Sequence, residues 1–276
     1  MNKLSSSKRT HVVACLVEGN SIRATCRMTG VAKGTVLKLL ADLGEACAVY
    51  QDKALRDLRC KRIQCDEIWS FVGMKRNNVP QERWDDPSVG DMWTWTALDA
   101  DSKLMVSWRV GARDSETAHA FVQDLASRLA NRVQLTTDGY NMYLAAVEEA
   151  FGNDIDYGML VKIYAADAPS DSRYSPAICT GARKQRVAGH PVEAHVSTSY
   201  VERQNLTMRM SMRRFTRLTN AFSKKVENLS HAVALHFMHY NFARVHQTLR
   251  VTPAMEAGVA DHVWSIAEIV ALLDAN

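Results

Sequence analysis

The sequence lacks the features that mark secreted, membrane-spanning and zinc-stapled proteins. It contains no apolar run of eighteen residues, which a membrane-spanning helix requires, and its polar amino terminus does not read as a secretory signal. The six cysteines are scattered without a Cys-x-x-Cys pair, so neither a zinc ribbon nor a disulfide framework is indicated. We therefore expect a cytoplasmic protein with reduced thiols and no membrane partner.

The net charge of +4 conceals an uneven distribution along the 276 residues. Residues 1–62 carry twelve Lys/Arg against five Asp/Glu, and residues 203–250 carry nine against one, so the rest of the chain is acidic. Two basic segments around an acidic middle favour a polyanionic partner, because phosphate neutralisation supplies most nucleic-acid affinity. Either basic segment alone is equally consistent with an ordinary solvated surface.

The first 46 residues are typical of a helix-turn-helix unit. A helix is predicted over 8–18, and "SIRATCRMTGVAKGTVLKLLADLG" continues with a serine cap, a short helix, a turn and a second helix. Cys26, Gly30 and Val36 fall where such a unit needs a small residue, a turn-permitting glycine and an apolar anchor. A plain three-helix bundle is the alternative. The predicted base and phosphate contacts on the recognition helix are Lys33, Thr35 and Lys38.

From residue 62 onward, the pattern predicts one mixed α/β domain. Three consecutive strands are followed by strands that alternate with helices, which describes a mixed five-stranded sheet with flanking helices. A loop rich in Pro, Ser and Gly then leads to a long helix over 199–215. The predicted organisation is a helix-turn-helix domain at 1–46, a linker at 47–61, a catalytic domain at 62–250 and a helical tail at 251–276.

Two of the predicted strands carry a carboxylate toward one edge of the sheet. Asp66 lies in the first strand, and Asp138 ends the fourth, in "LTTDGYNMY". An Asp-Gly pair more often only makes a turn. If the strands are neighbours, however, the carboxylates repel each other, and such a pair is stable mainly when a divalent cation bridges it.

Glu202 is the candidate for a third metal ligand. It begins the long basic helix, and Asn205, Arg209 and Arg213 follow at helical spacing on roughly one face, which suits a surface that guides a phosphate backbone. Ser199 and Glu202 also match a Ser-x-x-Glu capping box. The residues alone leave both roles of Glu202 open.

Four segments together resemble the DDE transposases of the IS1 group of bacterial insertion sequences. They are "DEIWSFVG", "TDGYNMY", "YVERQNLTMRMSMRRFTRLTNAFSKK" and "HYNFARVHQTLRVTPAMEAG", spread between about Cys65 and Gly258. The resemblance implies a retroviral-integrase-like, RNase H-like fold. It also implies a catalytic triad that binds two Mg²⁺ ions, for which Mn²⁺ can substitute, with the ligands Asp66, Asp138 and Glu202.

The resemblance further implies Mg²⁺-dependent phosphodiester hydrolysis and DNA strand transfer. The partners would be double-stranded DNA at element ends and target, and a homodimer or higher homo-oligomer on DNA in the bacterial nucleoid. Glu67 should point to the opposite side of its strand from Asp66 and take a structural role. The alternatives are a metal-dependent nuclease without joining activity and a DNA-binding repressor with an inactive transposase domain. Expected DNA contacts near the active site are Arg203, Asn205, Arg209, Arg213 and Arg217.

Overall fold

The computed structural model describes residues 4–164, 178–216 and 219–274. Helices surround a single sheet in this part of the chain. The helices are α1 (Ser6–Val17), α2 (Ile22–Thr29), α3 (Lys33–Ala54), α4 (Ser115–Arg128), α5 (Met142–Phe151), α6 (Ser199–Ser211), α7 (Val226–Met238), α8 (Pro253–Glu256) and α9 (Ile266–Ala271). The strands are β1 (Arg62–Val72), β2 (Gly90–Asp99), β3 (Met105–Gly111), β4 (Gln134–Asp138), β5 (Asp156–Tyr164) and β6 (Cys179–Ala188).

The sheet is mixed, as predicted, but it has six strands in the order β3-β2-β1-β4-β5-β6. Strands β1, β4 and β5 are parallel neighbours, and the remaining pairs are antiparallel. The prediction of five strands was wrong because β6 lies in the segment assigned to a loop. This edge strand is exposed along almost its whole length, so it lacks the alternating apolar pattern that reveals a half-buried strand.

Helices cover both faces of the sheet and enclose its core. Trp95 of β2 is fully buried, and its ring lies 5.9 Å from that of Phe121 on α4 and 5.4 Å from that of Tyr143 on α5. On the other face, Trp108 of β3 packs against Phe237 of α7, with ring centroids 6.2 Å apart. Because successive strand residues point to opposite faces, the tryptophans of β2 and β3 serve two separate layers.

The three amino-terminal helices have the predicted order, but α3 is longer than expected. Ser21 caps α2 by accepting a hydrogen bond from the Ala24 amide at 3.1 Å, and Gly30 ends α2 with a left-handed φ of 67°. Helix α3 then runs to Ala54, so the predicted linker at 47–61 begins with two further helical turns.

Tertiary packing explains the continuation of α3. Buried Gln51 donates a hydrogen bond of 3.0 Å to the Ala234 carbonyl of α7. A Cβ at Gly44 would lie 2.5 Å from the Cβ of His231, so only glycine allows the two helices to approach this closely. The charged residues that suggested a linker lie on the solvent side of α3.

The carboxyl-terminal segment is part of the core. Asn241, in a π-helical turn after α7, is fully buried, and its amide bonds both the N–H and the carbonyl of Met105 on β3. In the predicted tail, Ile269 of α9 is buried against the core. Asp274 pairs with Arg9 of α1 at 3.1 Å, so the end of the chain is held against its beginning.

Candidate metal centre and nucleic-acid surface

The parallel pairing of β1 and β4 brings the two predicted aspartates together. Gln64 of β1 is in register with Thr136 of β4, so Asp66 and Asp138 lie two residues further along adjacent strands. A third carboxylate joins them. Oxygens of Asp66, Glu67 and Asp138 all lie within 4.8 Å of one another. This acidic cluster is the candidate metal centre.

Glu67 is the member that sequence reasoning missed. Strand alternation assigned it a structural role on the opposite side of β1, whereas the structure brings its carboxylate into the acidic cluster. Its side chain is almost fully buried, with 1 % exposed. Two adjacent acidic residues in an apolar strand were the available signal, because a carboxylate is almost never buried without a partner.

Arg113 is the cation that faces the acidic cluster, and the sequence gave no specific sign of it. Its Nη2 atom lies 3.3 Å from Oε2 of Glu67 and 3.9 Å from Oδ2 of Asp138. The guanidinium stacks over the rings of Tyr140 and Trp93, at 3.9 and 4.8 Å from their centroids. In the described part of the chain, no other side-chain cation forms an ion pair with these three carboxylates.

Crowding of like charges perturbs the acidic cluster. Burial, followed by the charges of Glu67 and Asp138, raises the pKa of Asp66 to about 7. Burial and the charge of Asp138 raise the pKa of Glu67 to about 7 as well. Both carboxyl groups ordinarily ionise near pH 4, so the protein retains an electrostatic repulsion that one arginine does not remove.

The donor set fits a hard divalent cation. Three carboxylates converge, and two buried acceptors, Oε1 of Glu67 and Oδ1 of Asn205, have no hydrogen-bond partner in the described residues. Mg²⁺ and Mn²⁺ prefer such oxygen ligands. A bound cation would also relieve the repulsion that raises the two pKa values.

Helix α6 is anchored beside the acidic cluster by a side chain of β1. Oε1 of Gln64 accepts hydrogen bonds from the amides of Tyr200 and Val201, at 2.9 and 3.1 Å. These amides belong to the first turn of α6, whose N–H groups have no partner within the helix. Gln64 therefore caps α6 and fixes its start two residues before Asp66 on β1.

Asn205 of α6 contacts the acidic cluster directly. The residue is buried, and its Nδ2 donates a hydrogen bond of 2.8 Å to Oδ2 of Asp66. The expectation that Asn205 contacts DNA is therefore replaced by a positioning role, because a buried amide that holds a carboxylate is not available to a phosphate backbone.

Glu202 lies one turn earlier on α6, outside the group of three carboxylates that approach within 4.8 Å. Its Oε1 pairs with Nζ of Lys162 on β5 at 2.7 Å and also accepts the Thr198 hydroxyl. Its charge still contributes to the raised pKa of Asp66, so it is near the cluster. The structure thus brings two members of the predicted triad together and leaves the third paired with lysine.

The capping-box role of Glu202 is not observed. Thr198, rather than Ser199, is the N-cap residue of α6, and its side chain makes no capping hydrogen bond. The Ser199 side chain instead bonds the hydroxyl of Ser197 at 3.0 Å.

The predicted DNA contacts are spread over two surfaces. Lys33, Thr35 and Lys38 are exposed on the first two turns of α3, and Lys38 pairs with Asp42 at 2.7 Å. Near the acidic cluster, Arg203 is exposed and Arg209 is half-buried. Helix α6 ends at Ser211, so Arg213 lies in a separate 3₁₀ turn rather than on the predicted long helix. Arg217 falls outside the described residues.

Comparisons with known proteins give little. No protein-family model and no curated protein matches the chain. Among solved structures, the "Crystal structure of the Mos1 Strand Transfer Complex" is similar over 87% of this chain and 78% of that chain, at 11% identity and a TM-score of 0.24. A similarity this low establishes neither fold nor function. In the described part of the chain, no helix is long and apolar enough to cross a membrane.

Proposed function

We propose that this protein is a DNA transposase of the DDE type, with an RNase H-like catalytic domain related to the IS1 group. The observation that carries the proposal is the acidic cluster itself. Asp66 and Asp138 converge from adjacent parallel strands, and α6 is tied to the same edge through Gln64 and Asn205. A chain gains no stability from clustered carboxylates, so their convergence supports a chemical role.

Asp66, Asp138 and Glu202, with Glu67 at the same edge, are the residues that would hold two Mg²⁺ ions. Such ions, when bound, activate the attacking water or 3′-hydroxyl and stabilise the leaving oxygen. Asn205 fixes the orientation of Asp66, and Arg113 holds Glu67 beside Asp138. Glu202 must release Lys162 to act as a ligand, and the freed ammonium can then bind a phosphate of the DNA.

The proposed partners are the ends of the mobile element and a target, both double-stranded DNA. Joining two ends requires two active sites, so the assembly on DNA is a homodimer or a higher homo-oligomer. The proposed location is the nucleoid in the bacterial cytoplasm. The exposed positive charges of α3 and of the segment after α6 support DNA as the substrate.

The decisive experiment uses a plasmid that carries the gene with its flanking DNA. The protein with Mg²⁺ or Mn²⁺ should release element ends with 3′-hydroxyl groups and join them to a second plasmid. EDTA or Asp66→Asn should abolish both products. Cleavage that never yields joined products would favour the nuclease alternative, and DNA binding without any cleavage would favour the repressor.

Recognition of the ends is proposed to reside in α3. Replacing Lys33, Thr35 and Lys38 should reduce discrimination between end and random DNA, whereas replacing Arg203 and Arg213 should weaken binding to all DNA alike. The second set should also lower the salt dependence by about one unit for each lost phosphate contact. Binding isotherms at several salt concentrations would contradict this division if the two sets behaved identically.

A further inference from the structure

A cleft of about 710 Å³ lies between the amino-terminal helices and the segment that follows α6. Helices α1, α2 and α3 supply one wall, and residues 211–214, residues 219–224 and α7 supply the other. No carboxylate is among the described residues that line it. Its charged lining consists of Arg23, Lys33, Arg213, Arg214 and Lys224.

The positive charge of this cleft is not compensated within the described part of the chain, where none of the five cations forms an ion pair with a carboxylate. Arg214 is the most buried of them. Its Nη1 donates to the Ser223 hydroxyl at 2.6 Å, whereas its Nη2 is shielded from solvent and has no partner. A buried guanidinium without a counter-charge is costly, and an anionic ligand would offset that cost.

The protonation of the cleft does not depend on a histidine. His236 lines the cleft, and burial lowers its pKa to about 3, so it is neutral at physiological pH. Burial lowers the pKa of Arg214 to about 10, which still leaves the guanidinium charged. The positive charge is therefore present across the whole physiological pH range.

We propose that this cleft binds the sugar-phosphate backbone of one DNA strand. Unpaired guanidinium and ammonium groups are the chemistry that proteins use for phosphate. A volume of this size is in the range that holds a drug-sized molecule, so it accepts part of one strand and not the full width of a duplex.

The position of the cleft supports DNA over a free anion. Lys33 belongs to the proposed recognition surface of α3, and Arg213 follows the helix that carries Glu202 and Asn205. A strand in the cleft therefore passes from the end-binding helices toward the acidic cluster. The substrate class rests on the proposed function, whereas the location of the cleft and its charge do not.

The test compares two double variants of the full chain with the same change in net charge. Arg23→Gln with Lys224→Gln removes two exposed cations from the cleft. Arg27→Gln with Lys225→Gln removes their exposed neighbours, which lie on the same segments but do not line the cleft. Circular dichroism melts confirm folding. The probes are a fluorescein-labelled single-stranded oligonucleotide and its duplex, titrated in EDTA at several salt concentrations.

The cleft variant should weaken binding of the single strand by roughly tenfold or more and lower the salt slope by about two, one for each lost phosphate contact. The matched control should stay within about twofold of wild type. Equal losses in both variants would show diffuse charge attraction and overturn the proposal, as would a loss confined to the duplex. If wild type binds through the cleft but never cuts DNA with Mg²⁺, the proposed function fails while the cleft stands. Cleavage and joining with an unchanged affinity in the cleft variant give the reverse result.

Discussion

Two carboxylates of this protein have equal exposure and opposite surroundings. The side chains of Asp138 and Asp124 are 31 % and 30 % exposed. Asp124 of α4 accepts hydrogen bonds from Nε of Arg128 at 2.7 Å and from the Ser107 hydroxyl at 2.5 Å. Asp138 instead shares a single arginine, 3.9 Å away, with Glu67, and lies beside Asp66.

The difference separates structure from function. Burial alone would raise the pKa of Asp124, but its hydrogen bonds with Arg128 and Ser107 outweigh burial, so the pKa is lowered. The pKa of Asp66 is raised to about 7 by burial and its acidic neighbours. The chain compensates one carboxylate completely and leaves the other group to be compensated by something it does not itself supply.

The largest expected effect is on catalysis. Asp66→Asn and Asp138→Asn should each lower DNA cleavage and joining by at least about 10³-fold, because a lost metal ligand removes several kcal/mol of transition-state stabilisation. Asp124→Asn, assayed well below its melting temperature, should retain most activity. Gel assays of cleavage measure this, with DNA affinity in EDTA as the control. An active Asp66→Asn variant would show that the acidic cluster is not the catalytic site.

Glu202 should give a smaller effect that defines its role. Glu202→Gln keeps the size and removes the charge, so cleavage should fall by roughly 10²-fold if the residue is a metal ligand. Lys162→Gln breaks the same ion pair and leaves Glu202 intact. If the ion pair is only structural, the two variants should lose the same small amount of activity and the same melting temperature. A much larger activity loss in Glu202→Gln than in Lys162→Gln supports ligation.

The sequence predicted the acidic cluster well because strands are regular. An apolar run with a carboxylate at its end predicts a sheet edge, and parallel pairing of β1 and β4 did bring Asp66 and Asp138 together. The same regularity misassigned Glu67, since alternation describes the direction of a side chain from its strand and not how far its carboxylate reaches.

Features that depend on tertiary contacts were not predictable from local pattern. Gln64 caps α6 from across the fold, Asn205 is buried against Asp66, and α3 continues because it packs on α7. Strand β6 carries no amphipathic pattern, since its pairing with β5 is through the backbone alone and its side chains remain in solvent.

Stability should change in opposite directions at the two sites. In EDTA at pH 8, Asp66→Asn should raise the melting temperature, because it removes a charge from a repulsive cluster. One pKa unit corresponds to about 1.4 kcal/mol, so a gain on the order of 1–3 kcal/mol, or roughly 2–8 °C, is expected. Asp124→Asn should lower the melting temperature by a similar amount, since it loses charged hydrogen bonds. Differential scanning calorimetry measures both, and a destabilised Asp66→Asn would contradict the stored repulsion.

The pH dependence of these melting temperatures is the finest discriminator. Between about pH 4 and 7 the folded protein holds protons on Asp66 and Glu67 that the unfolded chain has lost, because burial and mutual repulsion raise both pKa values to about 7. Stability from this pair is therefore full below about pH 4 and falls as pH rises through 7. The advantage of Asp66→Asn over wild type should be small at pH 5 and reach its full size by pH 8. The deficit of Asp124→Asn should stay constant over that range, because its lowered pKa places its titration below pH 4. Millimolar Mg²⁺ should stabilise wild type above pH 7 and not Asp66→Asn, and an advantage that is independent of both pH and Mg²⁺ would show that Asp66 is destabilising for a reason other than its charge.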